Sequence, residues 1–96
     1  SICFSKYFKK HLVARLGGEE FAVYFIDADK QEALKRLEGF RYFIEMNSQE
    51  FSKAKIKFTI SIGFANGPVY QIDELLKQAD LKLYDAKESG RNKVVS

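Results

Sequence analysis

The sequence predicts a small α+β domain in which helices flank one β-sheet. Two apolar runs surround the pair Gly17-Gly18, a pattern typical of a β-hairpin. Apolar and small residues alternate from Phe58 to Phe64, which indicates a strand with one apolar face. Apolar residues recur at steps of three and four from Ile72 to Ala86, which indicates an amphipathic helix. A chain of 96 residues has room for one hydrophobic core.

The first half of the chain is predicted to contain a helix end, the hairpin and a helix. Residues 1–11 have the mixed apolar and lysine pattern of a helix tail. The hairpin strands are predicted near 12–16 and 20–26. Asp29 and Glu32 have the spacing of a capping box, so a helix is expected over 30–47.

The second half is predicted to finish with a helix and a short strand. Gly67-Pro68 closes the strand of residues 58–64, and Gly90 ends the helix that follows it. Residues 92–95 can form a last strand. Phe64 and Tyr84 are expected in or near the core.

Composition excludes several classes of protein. The apolar fraction of 46% and the aromatic fraction of 15% are those of a packed chain. No apolar run approaches the ~20 residues that span a bilayer, so no membrane contact by this segment is expected. A net charge of +3 is too weak for a nucleic-acid binder. Cys3 has no partner for an internal disulfide, which favours a cytoplasmic location.

Glu19 and Glu20 follow the glycine pair and form an acidic turn. We expect the two carboxylates to lie exposed and close together, which is unfavourable unless a cation neutralises them. Mg²⁺ suits such hard oxygen ligands, since it commonly takes one or two carboxylates plus phosphate oxygens. An ordinary solvated hairpin turn with two surface acids is the alternative interpretation of this pattern.

Lys87 and Arg91 lie where the last helix is predicted to end. Both side chains could reach a polyphosphate from one side. A lysine that caps the helix dipole, followed by an unrelated arginine, is the alternative.

Several short motifs together resemble the GGDEF family of diguanylate cyclases. They are Gly17–Phe21 (GGEEF) after Arg15, Thr59–Gly63 (TISIG), Ala79-Asp80, Leu83–Lys87 (LYDAK) and Gly90–Asn92 (GRN). The resemblance covers about residues 12–95. It implies that residues 1–96 are the C-terminal portion of one GGDEF domain. The implied fold is palm-like (ferredoxin-like), a mostly antiparallel sheet with flanking helices whose first strand is missing here.

The resemblance also implies roles for individual residues. Glu19 and Glu20 would be catalytic and would bind Mg²⁺ (or Mn²⁺). Nucleotide binding would involve Gly17, Gly18, Lys87 and Arg91. The reaction joins two GTP molecules into cyclic di-GMP across a homodimer. A sensory or receiver module is expected in the parent protein, which could also be membrane-anchored.

Two departures from the family pattern qualify these expectations. The family carries a metal-binding Asp and the guanine-reading Asn and Asp ahead of the signature, where this chain has sixteen residues. We therefore expect this chain alone to form no cyclic di-GMP. Residues 8–11 (FKKH) stand where many members carry the inhibitory motif RxxD, so that product site is expected to be missing.

Other interpretations of the sequence stay open. A degenerate GGDEF domain could bind GTP or a protein partner and regulate a neighbouring module without catalysis. A purely structural interaction domain is a weaker alternative. If the first strand is missing, the strands at 20–26 and 58–64 should either pair with each other or pair with a neighbouring molecule.

Overall fold

The computed structural model describes residues 12–15, 19–51 and 55–96. The predicted order of elements is confirmed from the hairpin onward, whereas the helix tail expected over residues 1–11 lies outside the described residues. The elements are β1 (Leu12–Arg15), β2 (Glu20–Ile26), α1 (Lys30–Phe51), β3 (Ser61–Gly67), a 3₁₀ turn (Val69–Gln71), α2 (Ile72–Glu88) and β4 (Val94–Val95).

Within residues 12–15, 19–51 and 55–96, four strands form one sheet in the order β1-β2-β3-β4. Strands β1 and β2 are antiparallel, whereas β2 with β3 and β3 with β4 are parallel. The prediction of a mostly antiparallel sheet is therefore wrong. Each parallel pair is joined by a helical crossover, the connection that parallel neighbours require. The palm-like arrangement stays a prediction.

Strands β2 and β3 are direct neighbours along their whole length. Their register runs from Glu20 opposite Ser61 to Ile26 opposite Gly67. Of the two alternatives predicted for these strands, pairing with each other is the one observed. Both parallel strands therefore begin at the same edge of the sheet, where the glutamate signature lies.

Helix α1 covers one face of the sheet. It begins as predicted, because Asp29 Oδ1 accepts a hydrogen bond of 3.0 Å from the backbone N–H of Glu32. The helix continues to Phe51, beyond the predicted end at residue 47. Large side chains fill the interface, with Phe21 and Phe40 packed edge to face at 6.4 Å between ring centroids. The buried residues of this cluster are Phe21, Val23, Phe25, Ala33, Leu37, Phe40, Ile44, Ile60, Ile62 and Phe64.

Helix α2 covers the opposite face through small residues. Ala22 lies between Phe21 and Val23 and therefore points away from α1, and it packs with Ala79 and Leu83 of α2. A Cβ atom on Gly63 would lie only 2.0 Å from the backbone nitrogen of Leu83. The absence of a side chain at Gly63 therefore allows α2 to approach the sheet closely.

Three further local predictions differ from the structure. Strand β3 begins at Ser61 rather than Phe58, because β2 offers partners only from Glu20 onward. The backbone N–H of Phe58 instead donates to Ser48 Oγ at 2.8 Å. Strand β4 covers only Val94–Val95 of the predicted 92–95. Phe64 is buried as expected, but Tyr84 is 60% exposed, because it lies one residue beyond the face of α2 that carries Leu83.

No helix in the described part of the chain is both long and apolar enough to cross a membrane.

Candidate active site

The glutamate signature lies at the start of β2. Glu19 is exposed at a bend between β1 and β2, and Glu20 is the first residue of β2. The position predicted for Glu19 in the hairpin is thus confirmed. Gly17 and Gly18 lie outside the described residues.

The two glutamates face opposite sides of the sheet. Glu19 lines an open cleft of about 510 Å³ on the α1 side, together with Glu45, Met46, Lys57, Phe58 and Thr59. Glu20 is half-buried on the α2 side, where its carboxylate meets the end of that helix. The expectation of two exposed carboxylates side by side is therefore wrong for Glu20. Alternation along an extended chain separates them.

Two cations converge on Glu20 from the end of α2. Lys87 Nζ lies 3.3 Å from one carboxylate oxygen, and Arg91 Nη1 lies 3.5 Å from the other. Lys87 and Arg91 thus reach one anionic group together, whereas their contact with a polyphosphate stays a prediction. The Arg91 side chain is 60% exposed, so its ion pair adds little to stability. The arrangement is important because it shows that both cations can contact one anionic group at the same time.

The turn after α2 places Arg91. The backbone N–H of Arg91 donates to the carbonyl of Ala86 at 2.8 Å, and Gly90 has a φ of 116°, so the helix ends in a Schellman-type cap. Gly90 ends the helix as predicted. Lys93 Nζ also donates to the carbonyl of Ser89 and closes the turn.

A polar cluster behind this turn was not predicted from the sequence. Arg41 Nη1 of α1 donates to Asn92 Oδ1 at 2.7 Å and to Glu45 Oε1 at 2.8 Å. Asn92 Nδ2 donates to the other oxygen of Glu45 at 3.1 Å. The spacing of Arg41 and Glu45 by four residues on a helix was the signal in the sequence. Their contact with Asn92, 51 residues after Arg41, had no local signal.

Hydrogen bonds in this cluster shift two pKa values. Hydrogen bonding to Glu38 raises the pKa of Arg41; burial opposes this, and hydrogen bonding to Glu45 adds to it. Hydrogen bonds from Arg41 and then Asn92 lower the pKa of Glu45. Both side chains are therefore held in their charged forms.

The described residues contain no group of three or more Cys, His, Asp or Glu side chains that could hold a metal ion. A Mg²⁺ ion that is bound mainly through substrate phosphates needs only one or two protein carboxylates. Glu19, exposed on its cleft and without an ion pair among the described residues, fits that requirement. Glu20 does not meet that requirement in this arrangement, because both of its carboxylate oxygens are paired with cations.

The fold and this site define an α+β domain with two consecutive glutamates at the start of β2, the second of which meets two cations from the end of α2. The family model described as "Diguanylate cyclase, GGDEF domain" matches residues 4–93. The chain belongs to the GGDEF domain family.

Curated relatives support the same assignment. "Probable diguanylate cyclase DgcT" of Escherichia coli K12 is 41% identical over 88 residues, covering 88% of this chain and 20% of that protein. "Diguanylate cyclase A" of Treponema denticola is 36% identical over 83 residues, 84% of this chain and 22% of the relative. "Diguanylate cyclase DgcM" of E. coli K12 is 38% identical over 89 residues, 92% of this chain and 21% of the relative. The chain thus spans about a fifth of the length of these relatives. No solved structure matches it significantly.

Proposed function

We propose that the protein containing this chain is a diguanylate cyclase, and that the chain holds the phosphates of one GTP beside its catalytic glutamate. The convergence of Lys87 and Arg91 on Glu20 supports this proposal best. Two cations that already share one anionic partner are positioned for a polyphosphate, which offers several strong acceptor oxygens. In the nucleotide complex, Lys87 and Arg91 would bind the phosphates instead of Glu20.

Release of Glu20 from its ion pairs would supply the second acid of the site. With Lys87 and Arg91 on the phosphates, the Glu20 side chain would turn from the α2 side of the sheet toward the side of Glu19 and act there as the second carboxylate. Glu19 would bind Mg²⁺, which supplies charge stabilisation at the reacting phosphate. Gly17 and Gly18 are proposed to admit the ribose and α-phosphate, since residues without a Cβ allow close approach.

The reaction itself would require two copies of the domain. Each ribose 3′ oxygen forms a bond to the α-phosphorus of the other GTP, the bond from that phosphorus to pyrophosphate breaks, and the hydroxyl proton is lost to solvent. Two GTP molecules thereby give one cyclic di-GMP and two pyrophosphates. Catalysis of this kind depends mainly on positioning and electrostatic stabilisation.

The test uses the full-length protein with GTP and Mg²⁺, with cyclic di-GMP separated by chromatography. We expect Glu19→Gln to abolish product formation. Lys87→Ala and Arg91→Ala should weaken GTP binding, with a milder effect on the protein than the Glu19 change. Glu88→Gln is the matched control, because it removes an exposed carboxylate next to Lys87 and leaves Glu20 unchanged. Unchanged turnover in the Glu19→Gln protein would overturn the mechanism. GTP binding without any product in the unmodified protein would favour a regulatory GTP-binding module instead.

A further inference from the structure

The turn that carries Arg91 has an unusual backbone. Gly90, Arg91 and Asn92 have consecutive positive φ values of 116°, 64° and 48°. Only glycine adopts this region readily; Asn tolerates it, and Arg seldom does. Such a conformation persists when surrounding contacts fix it. The direction of the Arg91 side chain therefore depends on what holds this turn.

Asn92 contributes three of the hydrogen bonds that fix the turn to the rest of the domain. Its backbone N–H donates to Ser61 Oγ at 3.2 Å, and its side chain is bound by both Arg41 and Glu45. Arg41 can only donate and the Glu45 carboxylate only accepts, so the orientation of the amide between them is determined. The Arg41 side chain is 12% exposed and the Glu45 side chain 37%, so the contact is shielded from solvent mainly on the arginine side.

The same hold reaches the glutamate signature. Ser61 accepts from Asn92 through its hydroxyl, and its backbone N–H donates to the carbonyl of Glu19 at 3.0 Å. Ser61 is 3% exposed. One buried residue of β3 therefore connects the cation-bearing turn to the acidic bend, and Arg41 locks the turn from α1.

We propose that Arg41 and Asn92 are positioning residues of the nucleotide site. They touch neither Glu20 nor the side chains of Lys87 and Arg91 in the contacts described. They hold the α2–β4 turn so that the Arg91 guanidinium points to the place where phosphate binds. This inference rests on the proposed function, because it assigns Arg91 to phosphate.

The experiment measures binding of GTP, of inorganic tripolyphosphate and of guanosine to the full-length protein in Mg²⁺, by calorimetry. Arg41→Met retains an unbranched side chain but removes its hydrogen bonds. We expect about tenfold weaker binding of GTP and tripolyphosphate, because a tenfold change corresponds to ~1.4 kcal/mol, about the contribution of one hydrogen bond to a charged group. Guanosine, which has no phosphate, should bind unchanged. General damage to the domain would weaken all three ligands and would overturn the proposal.

Two further variants make the result specific. Arg36→Met is the matched control, because Arg36 lies on the same helix and pairs only with the exposed Glu32 in the described contacts. It should bind every ligand normally. Asn92→Gly removes the amide while glycine still accepts the positive φ, so it should reproduce the loss even where Arg41→Met fails to fold.

A double-variant cycle separates this proposal from the function on which it rests. If Arg41 acts through Arg91, the protein with Arg41→Met and Arg91→Ala should bind tripolyphosphate no more weakly than Arg91→Ala alone. Additive losses would overturn the positioning role and leave the phosphate assignment intact. A normal tripolyphosphate affinity in Arg91→Ala itself would overturn the proposed function first.

Discussion

Helices α1 and α2 lie on opposite faces of the same sheet, and they contact it in different ways. Helix α1 is held at a distance by large interlocking side chains, among them Phe21, Phe40 and Phe64. Helix α2 lies almost directly on the strand backbone, at Gly63 and Ala22. The α1 interface therefore depends on large side chains that fill the space between helix and sheet, whereas the α2 interface depends on the absence of side chains that would keep the helix away. Because Lys87 extends from α2, the close interface is also the one that sets the position of the candidate site.

The largest expected effect is truncation on the α1 side. Phe40→Ala removes a side chain that is 1% exposed and contacts Phe21. We expect this chain to lose about 3–5 kcal/mol of unfolding free energy, the usual range for a buried Phe changed to Ala. Urea unfolding followed by circular dichroism measures the loss. Tyr42→Ala is the control on the same helix, since Tyr42 is 55% exposed and should change stability little. Equal losses in both variants would contradict the description of α1 as a volume-dependent interface.

On the α2 side the damaging change is the addition of a methyl group to Gly63. Gly63→Ala places a methyl group within 2.0–2.6 Å of backbone atoms of Ala79 and Leu83, so the helix has to move. We expect a loss near the upper end of the ~1–3 kcal/mol typical of overpacking. Displacement of α2 should also weaken tripolyphosphate binding in the full-length protein, because Lys87 moves with the helix. A Gly63→Ala protein with unchanged stability would show that α2 does not rest on the strand as described.

The sequence predicted both interfaces in part. Periodicity located the apolar faces of both helices and of β3, because burial on one side leaves a local pattern. Two other local signals, the Asp29–Glu32 spacing and Gly90, located the capped start of α1 and the end of α2. These features depend on neighbours only a few residues away in the chain.

The features that could not be predicted depend on distant partners. The sequence predicts the pairing of β2 with β3 only as one of two alternatives and does not predict its parallel direction, since neither strand contains a signal that identifies its neighbour. The contact of Arg41 with Asn92 joins one residue that precedes β3 in the sequence to another that follows it. The division of Glu19 and Glu20 between two faces was available from strand alternation, but the turn was interpreted as a single exposed acidic tip.

A smaller effect tests the comparison in the opposite direction. Gly39 is an exposed residue within α1, so a methyl group there meets no sheet backbone. We expect Gly39→Ala to stabilise the chain by about 1 kcal/mol through helix propensity. The same chemical change therefore has opposite signs at Gly39 and Gly63. Thermal and urea unfolding of the two variants side by side measure both signs, and destabilisation at Gly39 would show that α1 also approaches its surroundings closely at that point.

The smallest expected effect concerns the polar cluster through which α1 meets the turn after α2. The folded pKa of Glu45 is lowered by Arg41 and Asn92, while an unfolded Glu titrates near pH 4.3. Between those two values the unfolded chain binds more protons, so the free energy of unfolding rises with pH. The contribution of Glu45 is therefore complete above the unfolded pKa and is lost as pH falls through the folded pKa.

Glu45→Gln removes this titration and keeps an oxygen acceptor. We expect the stability difference between the unmodified chain and Glu45→Gln to shrink as pH falls below about 4.3, measured by urea unfolding at a series of pH values. In chains that also carry Arg41→Met, the same comparison should depend much less on pH, because the main cause of the lowered pKa is gone. A pH-dependent difference that persists unchanged without Arg41 would mean that the cluster does not join α1 to the turn through the Arg41–Glu45 pair.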